Sequence, residues 1–178
     1  MIYMANKLTA ELFWTYARSG AFQRARIYNS KTAIEAWKTE FRKNTKEYLF
    51  KQLFLKYSGK QITSAQLAVA IQGLIKLHEG AACLDKKKLK YGNAQKFVNL
   101  YLKGMWVGGY LKTVPPHFPV DSIIIKALGM KGKWTDMSKE QYERIINAAK
   151  VKIKNTAYAS IAEWEADYYQ KHYIEKQD

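Results

Sequence analysis

Residues 94–107, Ala94-Gln95-Lys96-Phe97-Val98-Asn99-Leu100-Tyr101-Leu102-Lys103-Gly104-Met105-Trp106-Val107, decide the fold. Wound at 3.6 residues per turn, this stretch has almost no polar face, and a helix of that kind is buried nearly all round. A buried helix needs other helices or a sheet to cover it. The rest of the chain has no alternating pattern of useful strand length and no internal repeat, so the cover must be helical. The expected class is all-α, with about seven helices in a single domain over residues 1–178.

Working outward, start and stop signals divide the chain. Asn93 reads as the cap of the buried helix, which is expected over 94–111. Before it, residues 85–92 form a short basic connection. A third helix over 65–78 opens on the capping box Thr63 with Gln66 and closes at Gly80. A long second helix runs from a Ser30 cap to Tyr57, carrying Ile34, Trp37, Phe41, Tyr48, Leu49 and Leu53 at three- and four-residue spacing, and stops at Ser58 and Gly59. A first helix covers 9–18. Beyond the buried helix the prolines cluster at Pro115, Pro116 and Pro119. Asp121 or Ser122 then caps a short apolar helix over 123–128, ended by Gly129. Ser138 with Gln141 opens another to Lys154, and 157–176 forms the last.

Composition narrows the function. The 178 residues carry 30 Lys plus Arg against 15 Asp plus Glu, a net charge of +15, with one cysteine and 48% hydrophobic residues. Cys83 alone permits neither an internal disulfide nor a four-thiolate zinc site, and a reducing compartment is the default. His78, His117 and His172 are too scattered for a metal site, so no metal and no cofactor are expected. Charged residues interrupt every apolar run short of a bilayer span, and no secretory leader is evident at the N-terminus, so a soluble cytoplasmic protein away from the membrane is expected. The charge is unevenly spread. Residues 86–135 hold 10 bases and 1 acid, a net +9, whereas 1–85 carry +7 and 136–178 carry −1. Such a polycationic window favours a polyanion through counterion release, which points to nucleic acid. Lys86, Lys87, Lys88 and Lys90 are the clustered candidates for phosphate contact, and Arg24 and Arg26, between Phe22 and Tyr28, are further ones.

The only acid of that window, Asp121, stands in Pro119-Val120-Asp121 at a helix start, 25 residues after Lys96 in Gly92-Asn93-Ala94-Gln95-Lys96. Over residues 89–128 this pattern resembles the helix-hairpin-helix DNA glycosylases, particularly the 8-oxoguanine type and its archaeal relatives. Those proteins place a lysine four residues after a hairpin glycine and an aspartate in a Pro-Val-Asp tripeptide at the next helix start. The chain departs from their pattern at Ala94, where a second hairpin glycine would stand, and at Tyr91, where a proline would. The resemblance implies a central helix-hairpin-helix-like element, with Gly92 and Asn93 in a hairpin that contacts duplex DNA. It implies Lys96 as nucleophile and Asp121 as catalytic aspartate of a base-excising DNA glycosylase, with scope for AP-lyase chemistry.

Residue chemistry is compatible with that transfer. A lysine in the first turn of a helix faces the positive end of the macrodipole, and Phe97 and Leu100 desolvate it, so the amine is expected to lose its proton more readily. An oxocarbenium-like sugar centre needs a nearby carboxylate, and Asp121 is the local one. Trp106, Phe118 and Trp134 are the aromatic candidates for a flipped-base pocket. Two other readings compete: a non-catalytic nucleic-acid-binding protein on a glycosylase-like scaffold, and a helical protein-interaction module. Asp121 is also an ordinary helix cap on its own terms, and His117 between prolines reads as a loop contact.

Overall fold

A computed structural model describes residues 2–175, apart from 23, 24 and 26. Arg24, Arg26 and the last residue of the final expected helix, Lys176, therefore lie outside the described residues. Within these bounds the chain folds into seven helices, and the only extended pairing is an isolated bridge between Tyr28 and Leu84. The all-α expectation holds. The helices are α1 (Ile2–Phe22), α2 (Glu35–Leu49, continued by Phe50–Phe54 and Leu55–Tyr57), α3 (Ser64–Leu77), α4 (Tyr91–Val107), α5 (Ser122–Ala127), α6 (Lys139–Ile153) and α7 (Ile161–Tyr169, continued by Gln170–Ile174). Among the described residues no helix is long and apolar enough to cross a membrane.

Helix α4 is the axle of the fold. All residues from Gly92 to Leu102 are buried, and so is Met105. Helix α1 lies along it: Trp14 stacks on Phe97 with ring centroids 6.3 Å apart, and Phe13 meets Tyr101 edge-on at 6.1 Å. Such aromatic pairs add to the large apolar area that each ring removes from water. Helix α3 covers α4 with Leu67, Ile71 and Leu74, all fully buried.

Local signals place most of the boundaries. The capping boxes Thr63/Gln66 and Ser138/Gln141 are both closed, and Gly80 and Gly129 end their helices at φ of +78° and +69°. Two starts differ from expectation. Helix α2 opens at Glu35 rather than after Ser30, and the last helix opens at Ile161 behind a further closed box, Ser160 with Glu163. Helix α1 is longer than expected at both ends.

The start of α4 is the main correction. Lys90, not Asn93, occupies the cap position, and Asn93 lies buried inside the first turn. The cause is tertiary. A Cβ built on Gly92 would sit 1.7 Å from the carbonyl oxygen of Trp134, and the Gly92 N–H donates to the Met137 carbonyl at 3.2 Å. The 3-10 turn Trp134–Asp136 therefore presses on the first turn of α4, and only glycine admits it. What precedes α4 is another 3-10 turn, Asp85–Lys87, rather than a helix. The expected central helix-hairpin-helix-like element over 89–128 is thus not borne out. The same contact makes a prediction. Gly92→Ala gains about 1 kcal/mol of helix propensity but must push a backbone carbonyl aside, at about 3 kcal/mol. A net loss of about 2 kcal/mol is expected in urea denaturation.

Candidate functional site

Helices α1, α4, α5 and α7 enclose a cavity of about 650 Å³, lined among others by Tyr16, Lys96, Lys103, Asp121, Lys126 and Glu165. Its volume lies within the range of small-molecule sites. Lys96 and Asp121, separated by 25 residues in sequence, meet on its wall: the Lys96 Nζ donates to Asp121 Oδ2 at 3.4 Å. Their side chains are 9% and 17% exposed, so the pair is largely withdrawn from water yet reachable from the cavity. The other face of the ammonium lies over the Trp134 ring, 4.3 Å from its centroid, a cation–π contact.

Each partner is held by its own element. Asp121 caps α5, its Oδ1 accepting the backbone N–H groups of Ile123 at 2.9 Å and Ile124 at 3.2 Å, which leaves Oδ2 for Lys96. Lys96 rides on α4. Because that helix begins at Tyr91, the lysine stands in its second turn, beyond the strongest reach of the macrodipole. The two segments are tied by Gln95, fully buried. Its Nε2 donates to the Val120 carbonyl at 2.8 Å and its Oε1 accepts the Val120 N–H at 3.1 Å. One amide side chain thereby satisfies both backbone groups of the residue before Asp121. Asn99 extends the network, donating to Gln95 Oε1 and to the Tyr142 hydroxyl, which in turn lies 3.0 Å from His117 Nδ1. Burial pushes His117 down to about 4, so it is neutral and anchors the proline loop.

A second ion pair shares the cavity. Lys103 Nζ donates to both oxygens of Glu165, at 2.7 and 3.0 Å, with side-chain exposures of 15% and 5%. Burial raises the Glu165 carboxyl above the ordinary carboxylate range, Lys103 opposes the rise, and Asp121 adds to it. Tyr16 is pushed up to about 12, first by burial and then by Glu165, Tyr169 and Asp121, so its hydroxyl stays a proton donor at neutral pH. Lysines thus outnumber carboxylates on the lining by three to two.

The structure brings together only part of the expected site. Lys96 and Asp121 converge. Gly92 and Asn93, expected as phosphate contacts, are buried in the first turn of α4, with the Gly92 amide already committed to Met137. Of the aromatic candidates, Phe118 packs in the core against Trp164, Trp134 is buried under Lys96, and Trp106 is half-buried; none lines the cavity. Tyr16 and Tyr169 take that position instead. Lys86, Lys87 and Lys88 are exposed, the first two at a φ of +52°, whereas Lys90 is engaged with Asp136 at 2.7 Å. Sequence reasoning missed Lys103, Glu165, Tyr16 and Tyr169, for which no local spacing signals a shared site. No group of three or more His, Cys, Asp or Glu able to hold a metal ion occurs among the described residues. Compared with protein-family models, curated proteins and solved structures, the chain finds no match.

Proposed function

We propose that this protein is a DNA glycosylase, acting on an oxidised or otherwise modified base that is flipped into the Lys96–Asp121 cavity. One observation carries the proposal: the single acid of the +9 window and the lysine 25 residues before it meet at 3.4 Å on the wall of one lysine-rich cavity. Asp121 Oδ2 is placed to accept the Lys96 proton, and the freed amine then attacks the anomeric carbon of the sugar. As the new C–N bond forms, the bond to the base breaks and the base leaves with the electron pair, taking a proton from the site. The carboxylate stabilises the positive charge that develops on the sugar. Ring opening yields a Schiff base on Lys96, from which elimination of the 3′-phosphate gives AP-lyase activity. Tyr16 and Tyr169 offer faces for a base, and Lys103 and Lys126 offer charge for its phosphates.

The test is covalent trapping. Duplexes bearing single lesions, 8-oxoguanine first, are incubated with the protein and borohydride. A cross-link is expected with at least one lesion and is expected to vanish in Lys96→Gln. Absence of any cross-link and of base release across the lesion panel would sink the proposal.

A second reading has its own support. Lys96 is ion-paired and stacked, while Lys86, Lys87 and Lys88 are exposed on the turn before α4. On that reading the chain binds nucleic acid without cutting it. Duplex binding would then weaken with salt and with neutralisation of those three lysines, and Asp121→Asn would change nothing.

A further inference from the structure

A second cavity, of about 340 Å³, lies between α1, α2 and α4, lined by Lys7, Ala10, Glu11, Lys43, Lys46, Glu47, Phe50 and Tyr101. Tyr101 is set 100° around α4 from Leu100, so this cavity and the Lys96 cavity use different faces of the buried helix. Ala10, Phe50 and the Tyr101 ring make an apolar floor, and lysines stand on the rim.

Two features set it apart from an accidental gap. The Tyr101 hydroxyl is buried and has no hydrogen-bond partner among the described residues, while the residue as a whole is 1% exposed. An unsatisfied buried hydroxyl costs stability, so its retention calls for a compensating use. The second feature is the backbone of α2. At Phe50 the helix widens into a π turn, with the Leu55 N–H donating to the Phe50 carbonyl. Such turns concentrate at functional sites. Burial, and Glu11 after it, raise the Tyr101 hydroxyl well above the ordinary phenol range, which keeps it a donor. The rim acids are already engaged: Glu11 pairs with Lys46, and Glu47 with Lys51 at 2.7 Å.

We propose that this cavity binds a small molecule with an apolar, ring-sized body and one oxyanion, the body resting on Ala10 and Phe50, an oxygen accepting from the Tyr101 hydroxyl, and Lys43 supplying charge. The site is independent of the Lys96–Asp121 chemistry. Carboxylate and phosphate share this recognition, and two probes separate them: benzoate and phenyl phosphate, titrated into the full chain by calorimetry.

Saturable binding of at least one probe is expected. Tyr101→Phe, which deletes only the hydroxyl, is expected to weaken it about tenfold and, in the absence of probe, to raise the melting temperature by about 2–6 °C. Lys43→Gln on the exposed rim is expected to weaken binding with the melting temperature unchanged. The proposal is overturned if neither probe saturates, if Tyr101→Phe binds as well as the wild type, or if that variant melts lower, since the hydroxyl would then have a structural partner.

Discussion

Lys103→Met is expected to lower the stability of this protein by about 3–5 kcal/mol at neutral pH, because it strips the partner from a carboxylate held inside the fold. Glu165 is 4% exposed and takes both of its short hydrogen bonds from the Lys103 ammonium. Methionine fills much the same volume, so the loss reports charge rather than packing. The sign of the pH dependence follows from burial. In the native state the Glu165 carboxyl is raised above its ordinary value, so the folded protein holds that proton more tightly than the unfolded chain does. As pH rises past the unfolded value of about 4.3, the unfolded chain ionises first and stability falls, until the native carboxyl ionises as well. Lys103 opposes the rise, so its removal lifts the native carboxyl further and extends the falling window upward. The cost of Lys103→Met should therefore be small near pH 4.5 and grow toward pH 7.5. Urea denaturation at these two values and at pH 6 checks it; an equal cost at all three would refute the charge-based account. Adding Glu165→Leu to Lys103→Met is expected to recover most of the loss, since a well-packed apolar pair replaces a buried ion pair at little expense.

What could be read from the sequence depended on how local its cause is. The buried helix α4 was legible because its own residues leave no polar face, and the capping boxes at Thr63 and Ser138 were legible because both partners lie within one turn. The meeting of Lys96 and Asp121 was an expectation carried by resemblance, and the two do face one cavity. The start of α4 was misplaced because Asn93 has the chemistry of a cap, whereas what sets the start is the Trp134 carbonyl, 42 residues away, seated on Gly92. Glycine before a helix and glycine inside it under a neighbouring backbone are the same letter. Lys103 and Glu165 are 62 residues apart, and neither sits in a pattern that marks it among many charged surface residues. The aromatic candidates failed for a related reason. Nearness in sequence to Lys96 or Asp121 does not decide which helix face a ring occupies, and Tyr16 and Tyr169 reach the cavity from the two ends of the chain.

Gln95 should matter to the Lys96–Asp121 pair as much as either member does, although it lines no cavity. Lys96 follows it on α4 and Asp121 follows Val120 in the loop, so the two-way amide clamp between Gln95 and Val120 sets the separation of the pair. Gln95→Leu keeps the volume and the helix propensity but leaves the Val120 N–H and C=O without this partner at a fully buried position. At about 1–3 kcal/mol for each buried group left unsatisfied, with Asn99 also deprived of an acceptor, the expected loss is about 3–5 kcal/mol in urea denaturation. Gln95→Glu separates the two halves of the clamp. Its carboxylate still accepts the Val120 N–H but faces the Val120 carbonyl with no proton to give, so the variant should be destabilised at neutral pH and recover as the pH falls and the carboxyl regains its proton. If the pair acts on a sugar, Gln95→Glu should also lose borohydride trapping at neutral pH under conditions where it remains folded, and regain it on acidification. Gln95→Leu melting like the wild type would show that Val120 finds other partners, and that the loop, not Gln95, places Asp121.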